Sequence, residues 1–221
     1  MDKTTTNIIY KNLLLLGMFC SAVVSATEGE RQLSFEQDVA AAELVRLSVP
    51  AGEMEVVGIA GDKVIAEATA VCENADADAC HRLLNALEWV KKDGSIAELS
   101  LSPGGVSEYN QIKVKVKIGV PKDKNLEVNL GAGELSISDT SACLIAELNA
   151  GQINLSLDQR QLASASLSAM VGDAKLVTAK GETTSGQRSA LVGAQLDWNS
   201  GSGHCHTQAK VLAGEAQLTL K

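Results

Sequence analysis

One eight-residue pattern constrains this chain more than anything else in it, because the chain repeats it. Leu130-Gly131-Ala132-Gly133-Glu134-Leu135-Ser136-Ile137 returns as Leu148-Asn149-Ala150-Gly151-Gln152-Ile153-Asn154-Leu155, as Ala169-Met170-Val171-Gly172-Asp173-Ala174-Lys175-Leu176 and as Val211-Leu212-Ala213-Gly214-Glu215-Ala216-Gln217-Leu218. It also stands early, as Val49-Pro50-Ala51-Gly52-Glu53-Met54-Glu55-Val56. A further version, Ala190-Leu191-Val192-Gly193, slips one place, so that its apolar residues fall at Leu196 and Trp198. The glycines at 133, 151, 172, 193 and 214 follow one another at intervals of 18, 21, 21 and 21 residues. Each copy alternates apolar and polar residues after its glycine, which is the period of a strand with one buried face; the glycine supplies a corner or lets another backbone pass closely. A coil of about 20 residues cannot bury its inner face alone, so the copies must stack. The expected fold is all-β, a right-handed parallel β-helix-like solenoid. A two-sheet β-sandwich is the alternative, because strands every 8–12 residues or about that spacing fit it too.

The first 26 residues read as a secretory signal peptide: Lys3 and Lys11 precede an apolar run from Leu13 to Val24, and Val24-Ser25-Ala26 offers small residues before a cut after Ala26. The run is shorter than the roughly 20 apolar residues of a membrane span. Gly17-Met18-Phe19 ahead of Cys20 lacks the small residues of a lipidation signal. The expected product is an exported protein, periplasmic or extracellular, with no membrane span once the signal is cut. Residues 27–221 carry no Pro-rich or Ser-rich linker and read as a single domain.

Of the 19 basic and 27 acidic residues, cleavage removes Lys3, Lys11 and Asp2 and leaves 17 and 26, a net charge of −9. That balance disfavours nucleic acid and anionic lipid as partners. Only Phe35, Trp89, Tyr109 and Trp198 remain as aromatic residues, thin material for stacking on sugars or bases. Four cysteines remain, Cys72, Cys80, Cys143 and Cys205, an even number suited to an oxidising compartment. A Cys72–Cys80 bridge is expected, worth roughly 2.5 kcal/mol on the chain-entropy account. Cys143 and Cys205 are three coils apart, and three strand spacings of about 4.8 Å exceed the ~7 Å Cα limit for a disulfide. Either they are not bridged or the coils do not stack in simple order.

Between the early strands and the periodic array the period changes. Leu83, Leu84, Leu87 and Val90 fall on one helical face, Asp78 is placed to cap its start and Gly94 to stop it, so a helical insert is expected over 78–93. Ile112-Lys113-Val114-Lys115-Val116-Lys117-Ile118 is the strongest strand signal. Its lysines face water and discourage edge pairing; a ridge for an acidic partner is the other reading.

The run Val120-Pro121-Lys122-Asp123, then Leu126-Glu127-Val128-Asn129-Leu130-Gly131-Ala132-Gly133-Glu134-Leu135 and Leu148-Asn149-Ala150-Gly151-Gln152-Ile153, resembles the bacterial "putative adhesin" β-strand-repeat domains, also called head GIN-like domains. The resemblance covers residues 40–70 and 110–221. It implies a β-helix-like stack in an exported or envelope protein, with no established activity.

Chemistry-bearing residues are few. His204 and His206 share one face of a strand and Cys205 the other, which offers two imidazoles to a metal but not the third and fourth ligands of a tight zinc site. Surface histidines beside a structural cysteine fit the pattern better. Asn74, Asp76 and Asp78 start like a calcium loop, but Ala79 and Asn85 stand where its glycine and closing acid belong. No nucleophile elbow, zinc-protease helix or phosphate loop is present. The outward repeat positions Ser136, Ser138, Asn154, Ser156, Gln217 and Thr219 offer hydrogen bonds and little acid or base, with Glu53, Glu55 and Glu134 as scattered carboxylates. A non-catalytic structural or binding module without a cofactor is therefore expected, its partner an envelope protein or a glycan, with self-association through the stack's ends and the last strand, Glu215 to Leu220. The alternatives are a polysaccharide-active enzyme using Glu53 and Glu55, and an envelope metal binder using His204 and His206.

Overall fold

Alternation of apolar and polar residues, interrupted by glycine, lays down fourteen strands and one helix in a computed structural model that describes residues 26–27, 29–73, 78–105, 109–141, 143–189 and 192–221. All but Ala26 of the expected signal segment, the Asn74 and Asp76 of the calcium-loop reading, and the Ala190-Leu191 of the slipped repeat lie outside the described residues. In chain order the strands are β1 (Ala26–Thr27), β2 (Glu30–Asp38), β3 (Leu44–Ile59) and β4 (Lys63–Cys72), followed by the helix α1 (Asp78–Ala86). Then come β5 (Glu88–Lys92), β6 (Ile96–Ser102), β7 (Ile112–Pro121), β8 (Asn125–Ser138), β9 (Leu144–Leu157) and β10 (Leu162–Val177). The last four are β11 (Thr183–Ser185), β12 (Gln187–Ser189), β13 (Gly193–Trp198) and β14 (Cys205–Leu220).

The all-β expectation holds, as one large mixed sheet. Its centre is a parallel run in the order β3, β8, β9, β14, β10, with antiparallel strands at both ends. The segments on either side of Gly52 form one strand, β3, whose first half pairs with β6 and second half with β7. The repeat glycines form a ladder: Gly52, Gly133, Gly151, Gly214 and Gly172 stand side by side on successive strands. All five have positive φ, between 126° and 142°. A Cβ added to Gly133, Gly151, Gly214 or Gly172 would lie 1.7–2.0 Å from the carbonyl oxygen of the neighbouring ladder glycine. No side chain fits there.

At that ladder the inward face changes parity. Leu130 and Leu135, Leu148 and Ile153, Val211 and Ala216, Val49 and Met54, and Ala169 and Ala174 are all buried, each pair five residues apart, where an uninterrupted strand would bury every second residue. Each long strand is therefore two arms meeting at a glycine, and both arms turn their apolar side to the same core. Straight rows of aliphatic side chains result, such as Leu47, Val128, Ala146, Ala209 and Leu167 on the first arms and Val56, Ile137, Leu155, Leu218 and Leu176 on the second.

Four expectations are corrected. Gly193 does not join the ladder; it begins β13, which runs antiparallel to β10, so the interval from Gly172 to the next ladder glycine, Gly214, holds a three-strand excursion and not one coil. The helix ends at Ala86, and Glu88–Lys92 is a strand, because pairing with β6 and the packing of Trp89 on Phe35, ring centroids 6.4 Å apart, override the helical period. The lysine strand β7 is interior, between β4 and β3, so its lysines protect no edge. Likewise the last strand, β14, is inserted between β9 and β10 and has no free edge through which to self-associate.

That insertion also resolves the second cysteine pair. Cys143 precedes β9 and Cys205 opens β14, neighbours in space, and they are bridged with Cα atoms 4.5 Å apart. Cys72 and Cys80 are bridged as expected, which ties α1 to β4; Leu83, Leu84 and Leu87 are buried in the common core.

Gly151→Ala is expected to lower stability by about 3 kcal/mol or more, from backbone strain plus the clash with Gly133. Gly61→Ala, at φ 103° with open space around it, is expected to cost only about 1–2 kcal/mol. Urea unfolding midpoints of the two variants measure the difference.

Candidate functional site

Because the parallel strands are in register, outward side chains form rows as straight as the inward ones. On the second arms one row runs Lys115, Glu53, Glu134, Gln152, Glu215 and Asp173, and the next runs Lys117, Glu55, Ser136, Asn154, Gln217 and Lys175. A third carries Ser138, Ser156 and Thr219. Ser136, Ser138, Asn154, Ser156, Gln217 and Thr219 thus make one block on three adjacent strands, each side chain partly exposed.

Around this block the charges are tied to one another. Lys115 meets Glu53 at 2.9 Å, Lys117 meets Glu55 at 3.7 Å and Lys113 meets Glu73 at 3.6 Å. Lys175 meets Glu215 at 2.8 Å, and that hydrogen bond holds the ammonium pKa above its usual value. Asp173 is paired with Arg188 at 3.0 Å, and Asn154 donates to Glu134 at 3.3 Å. The three lysines of β7 are therefore partners of this face's own carboxylates and not an open ridge for an acidic one. Glu53 and Glu55 stand together as the sequence places them, on the sheet's outer face, with side chains 63% and 53% exposed and each against a lysine.

The first-arm face is also paired. Arg46 reaches Glu98 at 3.1 Å and Glu127 at 2.9 Å, stitching β6, β3 and β8, and the hydrogen bond to Glu127 raises its pKa. Glu98 also takes Lys92 at 3.0 Å, whose hydrogen bond lowers the Glu98 carboxyl pKa. Exposed ion pairs of this kind contribute little stability each and chiefly fix the surface.

The two candidate metal-binding histidines are separated by their partners. His206, on β14, has Nδ1 2.7 Å from the Ser164 hydroxyl oxygen of β10. His204, exposed and just ahead of β14, stands instead beside the Cys143–Cys205 bridge. Its ring nitrogen and the two sulfurs lie within 4.8 Å of one another. That grouping crosses from one chain segment to another, so residue spacing within either segment does not show it. One signal was in the sequence: Cys143 stands eight residues before Gly151 and Cys205 nine before Gly214, nearly the same offset from two ladder glycines. Trp89 and Trp198, the aromatic residues best suited to a sugar, are half-buried against the core.

Where β9 ends, Asp158 accepts from the backbone and side chain of Arg160, and these hydrogen bonds lower its carboxyl to about 2. The stabilisation from this pair is present above the unfolded aspartate value of 3.8 and is lost as pH falls through about 2. Carbon NMR titration is expected to find Asp158 still ionised at about pH 3, and Arg160→Ala to return it toward the ordinary range.

No protein-family model and no curated protein matches the chain. Among solved structures it is similar to a "putative cell adhesion protein" from Clostridium sporogenes, at 12% identity and TM-score 0.49, over 87% of this chain and 100% of that one. It is also similar to a "putative adhesin" from Parabacteroides merdae, at 10% identity and TM-score 0.28, over 85% of this chain and 80% of that one. A "putative lipid binding protein" from Parabacteroides distasonis is similar at 11% identity and TM-score 0.29, over 57% of this chain and 49% of that one. The adhesins among them carry the description that the glycine-punctuated strands resemble. These are distant likenesses between chains, and no activity or ligand passes from them to this one.

Proposed function

We propose that this chain is an exported, non-catalytic binding module that holds an envelope glycan or protein against its polar outer face. The carrying observation is the block of six uncharged hydrogen-bonding side chains at 136, 138, 154, 156, 217 and 219, in rows repeating at the strand spacing of about 4.8 Å and bordered by charges that already have partners. Such a face can accept and donate hydrogen bonds along an extended ligand, and the pairing of Glu53 and Glu55 with lysines favours contact over turnover. Stacking of parallel arms at one glycine ladder supports reading the fold as solenoid-like, with antiparallel strands at its ends. Two disulfides support an oxidising compartment, and among the described residues no helix is long and apolar enough to cross a membrane.

Beads carrying the protein are expected to retain purified bacterial surface polysaccharide or intact cell envelopes. The variant Ser138→Arg/Ser156→Arg is expected to lose about tenfold or more in retention, with an unchanged circular dichroism spectrum, because two bulky cations break the rows. Glu53→Gln/Glu55→Gln is expected to bind as before, and the polysaccharide to be recovered at its original size. Equal retention by the Ser138→Arg/Ser156→Arg variant would sink the assignment of the face; shortened polysaccharide, with shortening abolished by Glu53→Gln/Glu55→Gln, would sink the non-catalytic reading.

A further inference from the structure

We propose that reduction of the Cys143–Cys205 bridge uncovers a zinc site made of those two thiolates and the His204 imidazole. The donors are already assembled: both sulfurs and a His204 ring nitrogen lie within 4.8 Å of one another. The set is also chemically matched, since two thiolates and an imidazole are the ligands that zinc, a borderline-soft cation, takes in tetrahedral sites.

The frame that brings them together does not depend on the bond between the sulfurs. β9 and β14 are paired in parallel from Leu144 and Thr207 to Leu157 and Leu220, so the two cysteine backbones stay adjacent once the sulfurs part. Their Cα atoms are 4.5 Å apart. Side chains standing side by side at that spacing place their sulfurs close to the ~3.8 Å that two Zn–S bonds of about 2.3 Å subtend at a tetrahedral metal. His204 is pinned separately. Its backbone N–H donates to the Gln161 carbonyl at 3.1 Å, and Gly203 donates to Leu162 at 3.0 Å. Gly201 and Gly203 let this segment lie flush on the start of β10, since an added Cβ would stand 1.8 Å from the Leu162 oxygen and 2.1 Å from Gln161, respectively. Exposure is graded across the set: Cys205 is buried, Cys143 half-buried and His204 exposed, so a cation enters from the histidine side. His206 has no place in this set, its Nδ1 being held at Ser164. Three protein ligands leave the fourth position to water.

The chemistry balances with a dithiol as reductant. Thiol–disulfide exchange gives the bridge two electrons and two protons, converting it to two thiols while the reductant becomes a disulfide. Zinc then takes the place of both thiol protons, which are released to water, so binding strengthens as pH rises.

The test uses the full chain, reduced with a dithiol that is then removed under anaerobic conditions, and titrated with zinc against a chromogenic chelator. Cobalt is used in parallel to read the thiolate charge-transfer band. The Cys143→Ala/Cys205→Ala variant accounts for metal held by Cys72, Cys80 and His81 or by scattered carboxylates. Reduced wild type is expected to bind one more equivalent than this variant, and oxidised wild type no more than it. His204→Ala is expected to weaken the extra site by at least the about tenfold that loss of even an outer partner costs, while His206→Ala leaves it unchanged. The proposal is overturned by equal zinc in reduced wild type and the double-cysteine variant, by equal zinc in oxidised and reduced wild type, by His204→Ala weakening the site no more than His206→Ala, or by reduced wild type losing its β-sheet circular dichroism.

Discussion

Everything in this molecule hangs on the approach of one backbone to the next at the glycine ladder. Where Gly151 passes Gly133, the space that a Cβ would fill is taken by a carbonyl oxygen, and the same is true at Gly214 and Gly172. A positive φ at each of these residues turns the chain so that its second arm resumes with the opposite parity. One residue type therefore solves two problems together, the turn and the contact, and neither has a solution with a side chain. The straight rows inside and outside follow from it, because strands that share one corner share one register.

The same register governs how charge is distributed over the surface. In-register stacking would set like charges in lines, with Glu53 beside Glu134 and Glu215 beside Asp173. The chain answers with cations on flanking strands: Lys115 beside Glu53, Lys175 at Glu215, and Arg188 at Asp173. Cross-strand opposite charges stabilise and like charges destabilise, so these pairs offset the repulsion along the row. Beyond that row, positions 136, 138, 154, 156, 217 and 219 on β8, β9 and β14 need no such correction because they are serine, asparagine, glutamine and threonine.

How much of this could be read from residues alone follows from the range of each signal. The alternation on either side of each glycine is local, and it marked β7, β8 and β9 as strands and Gly52, Gly133, Gly151, Gly172 and Gly214 as the common element. The resemblance to adhesin-type repeats rests on the same short motifs. Order in space is not local. Gly193 keeps the 21-residue interval and is still no rung of the ladder, because what decides membership is the neighbour that the glycine meets and not its distance along the chain. Trp89 falls within the expected helical insert and lies in a strand, since its partner Phe35 is 54 residues away. The metal reading chose His204 and His206 because alternation sets them on one side. Packing gives His206 to Ser164 and His204 to the cysteines.

The insertion of β14 sets the order in which this fold can be completed. β9 and β10 follow one another in the chain, yet they are held apart by a strand that comes last. The Cys143–Cys205 bridge needs Cα atoms within ~7 Å, a distance that the pairing of β14 against β9 maintains in the folded chain. The bond thus matches the finished topology. It closes a loop that spans β9 to β13, so once formed it holds the final strand between its neighbours by a covalent link. Long-range parallel pairing of this kind is costly in loop entropy and slow to form. A staple set at the mouth of the inserted strand acts where that cost is greatest, at the step that joins the two halves of the parallel array.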